Sequence, residues 1–120
     1  MPIRILIADD HSVVREGLRM FLRLDPDVDV VGEAVDGAQA LRLVETLRPD
    51  VVLMDLIMPV MDGVEATERI MKECPCDILV VTVSVATNFN RVMEAMNHGG
   101  LDALNTPTLA GGEVQGGEAL

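Results

Sequence analysis

Several polar residues that are suited to binding a cation or a phosphate each follow a short apolar run. These residues are Asp9, Asp10, Asp55, Thr82, Asn105 and Thr106. The run before Asp55, Val51–Met54, is too short for a helix and is typical of a strand buried on both faces. Because the carboxyl ends of parallel strands lie on one edge of a sheet, we expect these side chains to meet there. For Asp55 taken alone, the alternative is an acid that only solvates the strand end.

Three ionised aspartates at one edge repel one another, and this repulsion raises the pKa of at least one of them. A hard divalent cation removes the conflict, and oxygen ligands with room for water favour Mg²⁺. A carboxylate beside such a cation can attack a phosphoryl group, as in enzymes that form an aspartyl phosphate. Asp55 is the candidate nucleophile, and the Thr82 hydroxyl is a candidate hydrogen-bond partner for a phosphoryl oxygen. His11 is interpreted as a solvated loop residue, with tuning of the site as the alternative.

Five predicted strands alternate with four predicted helices and position these residues. The strands are predicted at residues 3–8, 28–31, 51–54, 78–81 and 101–104. Ser12 and Asp36 are candidate N-caps of the first two helices. The third helix is predicted at Gly63–Glu73, and the fourth around Val92–Met96. Strict alternation predicts an α/β fold, a doubly wound five-stranded parallel sheet with right-handed crossovers and helices on both faces.

A fifth helix would complete this alternation, but the last residues of the sequence are Gly-rich and mostly unpatterned. We expect one domain over residues 1–107, followed at 108–120 by a Gly-rich tail or the start of a last helix that is missing or truncated. Without that helix, apolar surface between the first and fourth helices would lie open, and we expect either a homodimer or a chain of low stability. The apolar face of the first helix is predicted to consist of Val14, Leu18, Phe21 and Leu22.

The composition fits one domain with an aliphatic core, since 49% of the 120 residues are hydrophobic and only two are Phe. The formal net charge of −11 argues against direct binding to nucleic acid or to an anionic membrane. No apolar run has the length of a membrane span, and the N-terminus lacks the apolar region of a signal peptide. Cys74 and Cys76 form no disulfide framework, so we expect a reducing, cytoplasmic location.

The sequence resembles the receiver domains of two-component response regulators over nearly its whole length. The resemblance is carried by Asp9-Asp10, Met54-Asp55, Met58-Pro59, Asp62-Gly63, Thr82 and Pro107. It implies a flavodoxin-like receiver fold, a sensor histidine kinase as partner, and an output domain on the C-terminal side. It also implies that Asp55 is the phosphoacceptor and Thr82 the switch hydroxyl. The implied ligands of Mg²⁺ are Asp9 (through water), Asp10, Asp55 and the backbone carbonyl of Ile57.

Two positions depart from the receiver pattern. Receivers usually carry a Lys before the Pro that follows the fifth strand, and this sequence has Thr106 there. Receivers also often place an aromatic residue in the fifth strand, where this sequence has Ala103. The alternative function is therefore a degenerate receiver that acts only as a binding or dimerisation module. A metal-dependent phosphatase is disfavoured because Ile57 stands where its second acid would be.

Two receiver subfamilies match different parts of the sequence. Residues 9–18 and 31–34 resemble receivers attached to LuxR-type DNA-binding domains. Residues 80–85 and 94–107 resemble receivers of chemotaxis protein-glutamate methylesterases. We favour the methylesterase type because the later residues include the face that usually couples to an output domain. Beyond its own phosphorylation and dephosphorylation, we expect no enzyme activity of these residues, whereas the parent protein would be a methylesterase.

Overall fold

The computed structural model of the chain describes residues 1–82 and 85–105. Its strands are β1 (Ile3–Ala8), β2 (Val28–Ala34), β3 (Val51–Met54), β4 (Asp77–Thr82) and β5 (Asp102–Asn105). Its helices are α1 (Ser12–Leu22), α2 (Gly37–Leu47), α3 (Gly63–Glu73) and α4 (Phe89–Asn97). The predictions for Thr106, Pro107, the Gly-rich tail and the last helix lie outside the described residues.

All five strands are parallel and lie in the order β2-β1-β3-β4-β5. From β1 the chain winds to one side for β2, then crosses to the other side for β3, β4 and β5. The doubly wound α/β fold is therefore confirmed. The register pairs Met54 with Ala8 on one side and with Val80 on the other. The ends of β1 and β3 are level as a result, which places the residues that follow them side by side.

The central strand β3 is buried on both faces, as its apolar run predicted. Val52 and Met54 pack on one face in a cluster that includes buried residues of α2 and α3. Leu53 packs on the opposite face in a cluster that includes Leu18 of α1. A third cluster around Val80 includes buried residues of α4. Helices therefore cover both faces and hold the strand ends that carry the acids.

Aspartate side chains cap the N-termini of two helices, Asp36 at α2 and Asp62 at α3. The Gln39 amide donates to the Asp36 carboxylate at 2.8 Å, so the prediction of Asp36 as a cap is confirmed. The prediction for Ser12 is wrong by one residue, because His11 is the N-cap and makes no side-chain capping bond.

No helix in the described part of the chain has both the length and the apolar character needed to cross a membrane.

Three strands and one helix face differ from the predictions, and β4 begins and ends one residue beyond the predicted 78–81. β2 continues to Ala34 rather than ending at residue 31, and β5 lies one residue later than predicted. Phe21 is 51% exposed, so the predicted apolar face of α1 is only partly buried. Phe21 lines a cavity of about 310 Å³ on the α1 side of the sheet, together with Leu18 and Leu104 among others. The expected homodimer stays a prediction.

Candidate functional site

The acids predicted from the sequence meet at the carboxyl edge of the sheet. The Asp55 amide donates to the Ala8 carbonyl at 2.9 Å, and the Asp9 amide donates to the Ala34 carbonyl at 3.0 Å. These bonds continue the sheet one residue past β3 and β1, which fixes both aspartate backbones. One ligand atom from each of four residues lies within 4.8 Å of the other three. We call these residues the acidic cluster: Asp9, Asp10, His11 and Asp55.

The three carboxylates of the acidic cluster differ in their access to solvent. Asp9 is 4% exposed and Asp55 is 9% exposed, whereas the Asp10 side chain is 30% exposed. Asp9 and Asp55 are thus buried, whereas Asp10 lies on the solvent side of the cluster. Water can therefore reach the cluster beside Asp10, while Asp55 depends on the protein for its electrostatic environment.

The environment of Asp55 favours its protonated form. Burial, and next the nearby Asp9 carboxylate, raise the pKa of Asp55 from 3.8 to about 6. The Ile57 amide, 3.4 Å from the Asp55 carboxylate, opposes this shift. The repulsion among acids that was predicted from the sequence therefore acts on Asp55. At neutral pH Asp55 is ionised but poorly compensated, which is the condition that a bound cation relieves.

His11 lies closer to the acids than its interpretation as a solvated loop residue implied. Its side chain is 66% exposed, but its Nδ1 atom is 3.2 Å from Asp9 and 3.1 Å from Asp10. The hydrogen bond with Asp9, followed by the charge of Asp10, raises the pKa of His11. The His11 amide also donates to the Asp9 carboxylate at 2.8 Å. The exposure was predicted correctly, and the contacts with both acids favour the alternative that His11 tunes the site.

The loop from β3 to α3 fixes the position of Asp55 through close backbone packing. Leu56 and Met58 are buried, whereas Ile57 between them is 53% exposed. A Cβ atom on Gly63 would lie 2.1 Å from the Asp55 carbonyl oxygen, so only glycine fits at the start of α3. The Gly63 amide donates to the Leu56 carbonyl at 2.8 Å. The Asp62-Gly63 pair therefore does more than end the preceding loop, because Gly63 packs the start of α3 against the backbone of Asp55.

Thr82 is the last residue of β4 and is 2% exposed. β4 neighbours β3 and extends two residues beyond the Val80–Met54 pair, so Thr82 lies at the same sheet edge as Asp55. The Asn88 side-chain amide donates to the Thr82 hydroxyl at 2.9 Å. Asn88 is also the N-cap residue of α4. The predicted switch hydroxyl is thus connected to the start of the following helix.

Three residues around the site were not predicted from the sequence: Arg15, Glu33 and Asn88. Arg15 donates to the Asp9 carbonyl at 2.7 Å and pairs with Glu33 at 3.1 Å. Arg15 also lies four residues before Arg19 on α1, and this spacing places both on one side of the helix. This spacing could have indicated from the sequence that the two arginines share a partner. Their shared partner on β2 was not visible in the sequence.

The donor set of the acidic cluster fits Mg²⁺. Three carboxylates converge within 4.8 Å, one of them is partly exposed to water, and hard divalent cations prefer oxygen ligands. Asp9, Asp10 and Asp55 are the residues that would hold the ion. The Ile57 carbonyl and Thr106 stay predictions, the latter outside the described residues. Three carboxylates that could hold a cation and one buried hydroxyl, that of Thr82, therefore lie at one sheet edge.

Comparison with known proteins agrees with this arrangement. Residues 5–110 match the response regulator receiver domain family. The chain is 51% identical over 113 residues to a protein-glutamate methylesterase/protein-glutamine glutaminase of Pseudomonas fluorescens. That match includes 94% of this chain and 34% of the relative, so the chain spans about a third of the length of the curated relatives it matches.

Solved structures give the same result. The response regulator domain of Thermotoga maritima CheB aligns with a TM-score of 0.87 at 31% identity, covering 99% of this chain and 92% of that one. The receiver domain of NarL from Mycobacterium tuberculosis aligns with a TM-score of 0.82 at 33% identity, covering 98% and 94%. The resemblance to methylesterase receivers, favoured over the LuxR type, is confirmed by the curated relatives. The chain therefore belongs to the response regulator receiver domain family.

Proposed function

We propose that Asp55 accepts a phosphoryl group from the phosphohistidine of a sensor kinase or from a small donor such as acetyl phosphate. The observation that carries this proposal is the convergence of the Asp9, Asp10 and Asp55 carboxylates within 4.8 Å. An oxygen of ionised Asp55 attacks phosphorus, and the bond from phosphorus to the donor breaks. The leaving group departs with the electron pair, and the product is an aspartyl phosphate.

Each residue of the site has a separate task in this proposal. Asp9 and Asp10 hold Mg²⁺ with Asp55, and the bound ion would neutralise negative charge on the phosphoryl oxygens. The Thr82 hydroxyl accepts a hydrogen bond from Asn88, so its own proton is available to a phosphoryl oxygen. Asp55 must be ionised to attack. Its pKa of about 6 applies to the metal-free site, and a bound cation would lower that pKa, so phosphorylation in the presence of Mg²⁺ should slow only below this pH.

The proposed readout is control of a methylesterase output domain C-terminal to these residues. The 51% identical relative is a protein-glutamate methylesterase, and the chain spans about a third of its length, 34%. This leaves room in the relative for an output domain. The kinase partner, the role in chemotaxis and a cytoplasmic location belong to the same proposal. Direct binding of nucleic acid is disfavoured by the net charge of −11.

Thr106 favours the alternative of a degenerate receiver. The positive group usually found at this position is absent from the sequence. Arg91, near the start of α4, has a partner of its own, since it pairs with Asp62 at 3.7 Å. Lys72 lies in the last turn of α3, away from this edge of the sheet, and pairs with Glu68 at 3.9 Å. A binding module without phosphorylation would keep the fold and lose the acyl phosphate.

Phosphorylation by acetyl phosphate in the presence of Mg²⁺ separates the two functions. Intact mass, measured after chemical trapping of the acyl phosphate, should show one phosphoryl group on the wild type and none on Asp55→Asn. Asp29→Asn is the matched control, because it removes an exposed carboxylate on β2 and should keep the label. A label retained in Asp55→Asn would refute the assignment. A wild type that takes no label and binds no beryllofluoride would favour the degenerate receiver.

A further inference from the structure

We propose that Arg15 is a positioning residue for the metal site, and this inference rests on the proposed function. Arg15 contacts no predicted ligand atom of the ion. Its guanidinium donates to the backbone carbonyl of Asp9 at 2.7 Å, which belongs to the peptide joining Asp9 to Asp10. The orientation of that peptide decides where the Asp10 side chain starts. Arg15 therefore acts on the exposed acid through the backbone between the two acids.

The backbone around Asp9 is fixed at three points, and Arg15 supplies one of them. The Asp9 amide donates to the sheet at 3.0 Å, and the Asp9 carboxylate accepts the His11 amide at 2.8 Å. The carbonyl is the remaining polar group, and its hydrogen bond comes from Arg15. Backbone polar groups in a buried setting are costly to leave unpaired. Loss of Arg15 would free this peptide to rotate toward other partners.

Glu33 holds the Arg15 side chain in the orientation that reaches the loop. The Arg15 Nε atom is 3.1 Å from a Glu33 carboxylate oxygen, and the Arg15 side chain is only 16% exposed. Arg19, one turn further along α1, pairs with the other Glu33 oxygen. A guanidinium has donors on separate nitrogens, so Arg15 can contact Glu33 and the Asp9 carbonyl at the same time. Lys has its donors on a single nitrogen and cannot reproduce both contacts in this geometry.

The sign of the effect separates positioning from simple electrostatics. Removing a cation near an acidic cluster should strengthen cation binding, because the site becomes more negative. Loss of positioning should weaken it instead. Arg19→Ala is the matched control, since it removes the same charge and the same Glu33 partner, whereas the hydrogen bond to the Asp9 carbonyl comes from Arg15. The two alanine variants therefore differ in the loop contact.

The experiment measures Mn²⁺ affinity of the 120-residue chain by the loss of the free-ion electron paramagnetic resonance signal. We expect Arg15→Ala to weaken binding by about tenfold, or about 1.4 kcal/mol, whereas Arg19→Ala should bind as tightly as wild type or slightly better. Arg15→Lys should recover part of the loss. Equal affinities of the two alanine variants, with wild type binding normally, would overturn the inference and leave the proposed function intact.

Hydrogen exchange of backbone amides gives a second readout that needs no metal. Arg15→Ala should speed exchange of the His11 amide, which is bonded to the Asp9 carboxylate, and leave amides of β3 unchanged. Arg19→Ala should leave the exchange of the His11 amide and of the β3 amides unchanged. If the wild type binds no Mn²⁺, the proposed function fails, and the exchange result alone decides whether Arg15 fixes the loop. Unchanged His11 exchange in Arg15→Ala would refute that role as well.

Discussion

Removing the charge of Asp55 should stabilise the folded chain at neutral pH. Burial and the neighbouring Asp9 carboxylate raise the pKa of Asp55 from 3.8 to about 6. Each pKa unit corresponds to about 1.4 kcal/mol, so the ionised carboxylate lowers the free energy of unfolding by about 3 kcal/mol. Asp55→Asn removes this effect, and its amide oxygen can still accept the weak bond from the Ile57 amide at 3.4 Å.

The expected stabilisation has a defined dependence on pH. A carboxyl group whose pKa is higher in the folded chain than in the unfolded chain keeps its proton longer when folded. The wild type therefore loses stability as the pH rises from 3.8 to about 6. Above this range the variant should be more stable by the full amount. Below it, Asp55 is protonated in both states of the wild type, and the difference should disappear.

Urea unfolding followed by circular dichroism, with metal removed by a chelator, measures this difference above, within and below the titration range. Asp29→Asn controls for the loss of one negative charge, since Asp29 is an exposed acid on β2. Added Mg²⁺ should then stabilise the wild type more than Asp55→Asn, because a ligand stabilises the state that binds it. If the free energy of unfolding rises no more in Asp55→Asn than in Asp29→Asn, or if the rise is independent of pH, the reasoning is refuted.

Three other variants test separate parts of the site. Asp10→Asn should weaken Mg²⁺ binding at least about tenfold, since it removes a charged ligand from the opening of the cluster; unchanged affinity in a calorimetric titration would remove Asp10 from the site. Thr106→Lys should tighten beryllofluoride binding by about ten- to a hundredfold through a charge-assisted hydrogen bond, and equal affinities would show that the missing Lys is not a weakness. Gly63→Ala should destabilise the fold by about 1–3 kcal/mol or more, because its Cβ atom would lie 2.1 Å from the Asp55 carbonyl oxygen. Gly17→Ala on α1 is the control for the last variant, since its Cβ atom meets nothing within 4 Å; equal stabilities of the two would contradict the packing argument.

The most accurately predicted elements include two that have Pro, Gly or a capping Asp near their ends. β3 lies at Val51–Met54 and α3 at Gly63–Glu73, both as predicted. The strand lies between Pro49 and Pro59, and the helix follows an Asp-Gly pair that caps it and fits its close packing. These local signals determine the ends of an element without knowledge of its neighbours. Sequence reasoning succeeds where the deciding contacts are close along the chain.

β2 was predicted too short because its end is decided by tertiary packing. The predicted strand ended at residue 31, directly before Gly32, but β2 passes through Gly32 and pairs with β1 up to Ala34. A Cβ atom on Gly32 would lie 2.9 Å from the Leu47 side chain, so the glycine makes room for α2. The contact joins residues that are far apart in sequence, and no local pattern reveals it. This boundary matters because the added residues include Glu33, which holds Arg15.

The same distinction applies to the site. The carboxylates were predicted because parallel strands bring their ends to one edge, a property of the whole fold. Arg15 and Asn88 were missed as contacts, and His11 was assigned to the site only as an alternative, because each contact depends on the path of a loop or the rotation of a helix. Asn88 illustrates the limit, since an N-cap residue is expected to bond its own helix and instead donates to Thr82. Periodicity cannot distinguish these two uses of one side chain.

The groups at the sheet edge are supported by different elements, and this separation suits a site that changes charge. Asp9 is fixed from α1 and β2 through Arg15, and Asp55 is fixed from α3 through the packing of Gly63. Thr82 is bonded to Asn88 at the start of α4. A rearrangement of Thr82 would therefore first change its hydrogen bond with Asn88 at the start of α4. The contacts that hold Asp9 and Asp55 lie in other elements. The cation site and the switch hydroxyl can thus be altered independently by mutation, with Arg15 acting on the first and Asn88 on the second.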